Sequence, residues 1–170
     1  MKLDVLGGGE SGVGTAILAL KKGYDVFVSD NGVIADRYKE VLLNNEIEFE
    51  ENQHSEAKVL NADVVMKSPG IPDKAPIIKQ LKDNKVAIVS EIEFASEFTN
   101  ATIIGITGSN GKTTVTRWTH HILKEGGLNA SVGGNIGDSF AKQVAVNPSE
   151  NYVLELSSFQ LDDIKNFRPH

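Results

Sequence analysis

The stretch Ile103 to Thr114, IIGITGSNGKTT, restricts the fold more than any other part of the chain. The β-branched residues Thr102, Ile103, Ile104, Ile106 and Thr107 read as a buried strand. Glycines follow, then Gly111-Lys112-Thr113-Thr114, then a helix whose apolar face repeats as Val115, Trp118, Thr119 and Ile122. Strand, glycine-rich turn, GK[ST] and helix make the layout of a phosphate-binding loop. Glycines let backbone N–H groups turn inward around phosphate oxygens, and the helix N-terminus adds partial positive charge. In that layout Lys112 reaches the outer phosphates and the Thr113 hydroxyl is placed to ligate Mg²⁺. The strict pattern G-x-x-x-x-G-K-[ST] requires glycine where this chain has Ile106. Gly105, Gly108 and Gly111 give G-x-x-G-x-x-G-K-T instead.

A second glycine turn stands near the N-terminus. Leu3 to Leu6 is a short apolar strand, and Gly7, Gly9 and Gly12 satisfy G-x-G-x-x-G before a helix with Val13, Ala16, Ile17 and Leu20 on one face. Lys21 and Lys22 sit in its last turn, and Gly23 suits the position beyond it. Asp25 to Asp30 is the next strand, and Asp30 ends it where a dinucleotide fold places its ribose-binding acid. The residues alone leave NAD and a UDP-type nucleotide both open, because either pyrophosphate needs the same N–H cradle.

Alternation continues with a helix over Asp36 to Asn45, a weak strand at Ile47 to Glu50, a short helix at Ser55 to Leu60 and a strand at Ala62 to Lys67. The loop Ser68-Pro69-Gly70-Ile71-Pro72 is rigid and follows a strand C-terminus, where open parallel sheets bind ligands. Asp73 is placed to cap a helix from Ala75 to Asp83. A strand at Val86 to Val89 and a helix at Glu91 to Phe98 follow. Short-looped strand–helix units predict an α/β fold with a parallel, doubly wound sheet. The motif restart sets a domain boundary near residue 95, giving 1–95 as a Rossmann-like domain and 96–170 as the first part of a P-loop α/β domain.

In the second half, Asn129 to Val132 reads as a strand, running into Gly133-Gly134-Asn135-Ile136-Gly137. Asp138 or Ser139 starts a helix to about Val146. Tyr152 to Leu156 is the next strand, and Glu155 lies late in it. A carboxylate in an apolar strand is costly unless paired or bound to metal, and acids at this place after a phosphate loop commonly hold nucleotide Mg²⁺. Asn135, between glycines after a strand, is a candidate ligand donor. His54, His120, His121 and His170 show no spacing that suggests a metal site.

At 170 residues, 40% hydrophobic and 24% charged, the chain is ordinary for a globular protein. The net charge of −6 argues against a nucleic-acid surface. With no cysteine there is no disulfide or cysteine metal site, which fits a cytoplasmic location. Neither a signal peptide nor a membrane-spanning run is apparent.

Three blocks carry a family resemblance: Gly105 to Thr114, Val132 to Gly137, and Leu154-Glu155-Leu156-Ser157-Ser158-Phe159-Gln160-Leu161. Together they resemble the Mur ligases of peptidoglycan synthesis, and the last block resembles the branch that adds D-glutamate. The G-x-x-G spacing is shared by that family. The resemblance implies that the first domain holds UDP-N-acetylmuramoyl-L-alanine and the second holds ATP and Mg²⁺. It implies an acyl phosphate made from the substrate carboxylate, then displacement of phosphate by the amine of D-glutamate. Carried over by position, Lys112 and Glu155 are catalytic. Gly108, Ser109, Asn110, Gly111, Lys112, Thr113, Thr114 and Val115 bind ATP, and Thr113 and Glu155 serve Mg²⁺. Gly9, Glu10, Ser11, Gly12, Asp30, Asn31, Gly70, Asn135 and Ser157 lie by the substrate. Two departures concern the uracil side: Glu10 stands where the family is often apolar, and Asn31-Gly32 replaces a hydroxyl and an arginine. The family's later metal-side histidine, carbamylated lysine and D-glutamate domain are not in this sequence. The chain alone is therefore expected to be catalytically incomplete, and to associate through an open sheet edge if it associates at all. A sister Mur ligase and an NAD-dependent oxidoreductase are the competing readings.

Overall fold

The computed structural model describes residues 1–162 and 164–170. The first sheet is built from β1 (Lys2–Leu6), β2 (Asp25–Ser29), β3 (Glu48–Glu50), β4 (Val64–Lys67) and β5 (Ala87–Val89). Its order is β3-β2-β1-β4-β5 and every pairing is parallel. Between these strands run α1 (Glu10–Lys21), α2 (Asp36–Asn44), α3 (Glu56–Val59) and α4 (Pro76–Asp83), with α5 (Glu91–Ser96) following β5. The strand order reverses between β1 and β4, so the turn after β1 opens at the switch point where such sheets take ligands.

The second sheet has β6 (Thr102–Ile106), β7 (Ala130–Gly134) and β8 (Asn151–Glu155), again parallel, in the order β6-β8-β7. Its helices are α6 (Lys112–Glu125), α7 (Phe140–Val146) and α8 (Ser158–Asp162). The expected α/β architecture with parallel sheets is therefore present. No helix among the described residues is long and apolar enough to cross a membrane.

Several local expectations change. β6 is a flank strand rather than a buried one, since β8 takes the centre; only Ile103 is fully buried on it. The backbone of residues 168–170 runs along its outer side: His170 N donates to Ile103 O, and Ile103 N donates to His170 Nδ1. At Ile103, therefore, the outer edge of β6 has its backbone groups paired. The apolar stripe of α6 does not enter the core: Val115, Ile122 and Trp118 are exposed, Trp118 at 70%. Helix α1 shows the opposite departure. Residues from Gly12 to Ala19 are all buried, because the helix lies between the first sheet and α7 instead of facing water on one side. Asp73 does not cap α4; its carboxylate accepts from Lys67 Nζ (2.8 Å) and Lys82 Nζ (2.7 Å), which hold it down at about 2.

One hydrophobic cluster runs through both sheets, from Leu3, Val5 and Val28 through Ala16 and Leu18 of α1 to Phe140, Tyr152 and Leu154. A smaller cluster sits under α4, with Leu6, Val65, Ile78 and Leu81.

Asp4 is the misfit of this core. It is 4% exposed on β1, and its Oδ2 has no hydrogen-bond partner. Burial pushes its carboxyl up from 3.8 to about 6. The folded state therefore holds a proton that the unfolded chain releases. Stability due to this group is complete below about pH 4 and is lost as pH rises toward about 6. Asp4→Asn should be the more stable protein at pH 7, by at most about 3 kcal/mol, and the gain should vanish near pH 4. Urea unfolding of the pair at both pH values checks this.

Candidate functional site

Two glycine turns, each at a strand C-terminus, prepare two sites. At the first, β1 ends in Gly7, whose φ of +99° turns the chain toward α1. Gly12 allows the close return: a Cβ there would lie 1.8 Å from Gly7 O. Asp30 closes the turn from the side. Its Oδ2 accepts from Gly8 N (2.6 Å) and its Oδ1 from Gly32 N (2.8 Å). The acid expected to face a ribose thus also holds the turn in shape.

Beside it lies a cavity of about 490 Å³ lined by Gly7, Asp30, Asn31, His54, Gly70 and Ile71, among others. That is the size of a small-molecule site. Three of the residues expected near substrate, Asp30, Asn31 and Gly70, share it. Behind His54 in its wall lies a polar network that the sequence did not announce. Ser29 Oγ sits 2.7 Å from Glu50 Oε1 and 2.7 Å from His54 Nδ1. Glu50 also accepts from Ser55 N (2.7 Å) and Gln53 Nε2 (3.1 Å). Burial alone would raise the Glu50 carboxyl, but these donors bring it below its ordinary value. Burial lowers His54, against the opposing pull of Asp30 and Glu50.

At the second site the loop between β6 and α6 places Gly111 at the helix N-cap with φ +75° and no side-chain cap. The first N–H groups of α6, from Lys112 onward, therefore point out of the helix without intrahelical partners. Lys112 Nζ folds back to Gly108 O at 2.9 Å. Glu155, 2% exposed at the end of the central strand β8, accepts from Thr113 Oγ1 through Oε2 (2.7 Å) and from Asn135 Nδ2 through Oε1 (2.8 Å). Asn135 is brought there by Gly134. Its φ is +91°, and a Cβ would meet Glu155 O at 2.3 Å, so only glycine lets the loop lie on β8. β7 accordingly runs through Gly133 and Gly134, two residues beyond the expected end.

Residues 2–77 match the family model described as MurD N-terminal domain, and residues 106–169 match the Mur ligase middle domain. The chain belongs to the Mur ligase family. Among curated relatives of this Mur ligase chain, the UDP-N-acetylmuramoylalanine--D-glutamate ligase of Christiangramia forsetii is 64% identical over 99% of the chain and 38% of that protein. The enzyme of the same name from Porphyromonas gingivalis is 56% identical over 96% of the chain and 36% of its own length. The Mur ligase chain thus spans under two-fifths of these relatives. Its fold is that of the UDP-N-acetylmuramate:L-alanyl-gamma-D-glutamyl-meso-diaminopimelate ligase from Neisseria meningitides, with TM-score 0.61, 20% identity and 91% and 52% coverage of the two chains. The UDP-N-acetylmuramate-alanine ligase of Thermotoga maritima gives TM-score 0.58 at 23% identity, covering 91% of this chain and 36% of its own.

Between the two sites of the Mur ligase chain lies a buried junction. Glu91, 2% exposed at the start of α5, accepts through Oε1 from Ser139 Oγ (2.6 Å) and Ala141 N (3.1 Å). Ser139 N donates to Glu10 Oε1 (3.1 Å). Burial pushes the Glu91 carboxyl up, while the hydroxyls of Ser11 and Ser139 and the Ala141 N–H pull the other way. Glu10, expected beside substrate, thus turns its side chain toward the N-terminus of α7, and Ser11, also expected there, lies by Glu91. Ser157, likewise expected near substrate, forms a reciprocal cap with Gln160: Ser157 N donates to Gln160 Oε1 (3.0 Å) and Gln160 N to Ser157 Oγ (3.3 Å). The signal was legible as S-x-x-Q. Gly9 is open, with no atom within 4 Å of a Cβ placed on it.

The donor set fits Mg²⁺ and a nucleotide phosphate. Glu155 and Thr113 offer hard oxygens side by side, and the uncapped α6 N-terminus with Lys112 offers positive charge and N–H groups.

Proposed function

We propose that this chain is part of an ATP-dependent ligase that joins D-glutamate to UDP-N-acetylmuramoyl-L-alanine in peptidoglycan synthesis, in the cytoplasm. The observation that carries the reading is the bond chain Thr113–Glu155–Asn135 at the mouth of the phosphate loop. It sets a buried carboxylate against the hydroxyl that follows Lys112. The identity to relatives bearing that activity supports the choice of amino acid.

In this reading residues 1–95 hold the UDP end and 96–170 the ATP end. Ser109 to Val115, with Gly108, wrap the ATP phosphates. The substrate carboxylate attacks the γ-phosphorus, a P–O bond forms, and the bond to the β-phosphate oxygen breaks, releasing ADP. The D-glutamate amine then attacks the acyl carbon, phosphate leaves, and the amine loses its proton. Phosphorylation supplies the leaving group that a bare carboxylate lacks. Bound Mg²⁺ supplies charge for the transferring phosphoryl, and Thr113 and Glu155 would hold it. Lys112 stabilises the same developing charge. Asn135 orients Glu155 through the oxygen that Thr113 does not use.

The test is binding and turnover of the full-length protein. UDP-N-acetylmuramoyl-L-alanine should bind and NAD⁺ should not, by titration calorimetry. Steady-state ADP release beyond the first turnover should require D-glutamate. Tight NAD⁺ binding would overturn the reading in favour of an oxidoreductase, and turnover with a different amino acid would move it to a sister ligase.

A further inference from the structure

The cavity beside the first glycine turn contains a histidine whose tautomer the surrounding bonds decide. Ser29 is fully buried and has one hydroxyl proton. Its Oγ lies 2.7 Å from Glu50 Oε1 and 2.7 Å from His54 Nδ1. Glu50 accepts from Ser55 N and Gln53 Nε2 as well, and these bonds favour its ionised form. An ionised carboxylate cannot donate, so the Ser29 proton points to Glu50. With that proton spent, Ser29 Oγ faces the imidazole with a lone pair, and only an Nδ1–H can meet it. The neutral ring then carries its lone pair on Nε2, on the edge away from Ser29. No hydrogen bond among the described residues uses that nitrogen, and His54 lines the cavity.

We propose that His54 is a base-reading residue, whose Nε2 accepts a hydrogen bond from the imide N–H of a uracil ring and so selects uracil over cytosine. This rests on the reading of the cavity as the UDP end of the substrate. Uracil carries a donor at ring position 3; cytosine carries a lone pair there, which would face the Nε2 lone pair. The neighbouring ionisable groups sharpen the choice. Asp30 is held through both oxygens by Gly8 N and Gly32 N, and Glu56 accepts from Gln80 Nε2. Neither carboxylate provides a donor for the cytosine lone pair, which would face the Nε2 lone pair at that ring position.

The test uses the full-length protein with UDP and CDP as probes, and the variants His54→Leu and His54→Gln. The wild type should bind UDP at least tenfold more tightly than CDP. His54→Leu should lose about tenfold in UDP affinity with CDP nearly unchanged, as expected for one hydrogen bond. His54→Gln, which can present an amide oxygen, should recover part of the preference. Imidazole nitrogen NMR of the wild type gives a reading independent of any variant's folding. Nδ1 should appear protonated and Nε2 as an acceptor whose resonance moves on adding UDP. An unchanged UDP-to-CDP ratio in His54→Leu, or a protonated Nε2 in the free protein, overturns the role of His54 while leaving the UDP site intact. A wild type that binds neither nucleotide, or prefers NAD⁺, overturns the UDP reading and this proposal with it.

Discussion

Lys112→Met in the full-length protein should reduce ADP formation by a factor of 10² to 10³ or more while leaving the affinity for UDP-N-acetylmuramoyl-L-alanine nearly unchanged. The ammonium stands at the uncapped head of α6, 2.9 Å from Gly108 O. Methionine keeps the length and the apolar stem but removes the charge that, in the proposed reaction, offsets the one developing on the phosphoryl group. The first glycine turn and its cavity belong to the other sheet and share no bond with Lys112, so substrate binding there should survive. Steady-state ADP release and calorimetry with the UDP compound separate the two. Equal loss in both measurements would mean that Lys112 supports the fold and not the chemistry.

Glu91→Ala should cost about 3 kcal/mol or more of stability. The change leaves Ser139 Oγ and Ala141 N without their acceptor in a site closed to water, and opens a cavity at the meeting of α1, α5 and α7. Glu91→Gln keeps an oxygen for both donors and should cost far less. The two variants also differ in pH response. Burial raises the folded-state carboxyl of Glu91, so the wild type loses stability as pH rises through that raised value. The glutamine variant lacks that slope and should gain on the wild type as pH increases. Urea midpoints across pH give both readings.

The parallel sheets were legible because strand, turn and helix alternate with short loops, and because β-branched runs stop at glycines. Glu155 was legible for an energetic reason: an acid within YVLEL has to be paired, and it is. Burial beyond the first neighbour was not legible. The periodic apolar residues of α1 and α6 look alike in sequence, yet α1 is enclosed by a sheet and a second helix layer while α6 leaves Trp118 in water. Periodicity reports that a face is apolar, not what lies on it. Glu91 and Glu93 stood in sequence only as members of a short helix. Glu93 instead accepts from Lys165 N, Asn166 N and Phe167 N, partners more than seventy residues away. His54 was passed over because its partner, Ser29, arrives through the pairing of β2 with β3 and not through local spacing. Ser157 was placed by motif, and its hydroxyl takes a structural partner that the motif does not mention.

The enclosure of α1 has a bearing on how the chain is made. On a ribosome, the first sheet emerges with one side of α1 still bare. Its cover, the N-terminal end of α7, is synthesised much later: the Glu10–Ser139 bond closes a span of 129 residues. Until then the nascent polypeptide leaves the side of α1 around Gly14 bare to water, an adhesive strip awaiting its own downstream sequence. The early portion is thus committed to its strand order before it is finished as a surface.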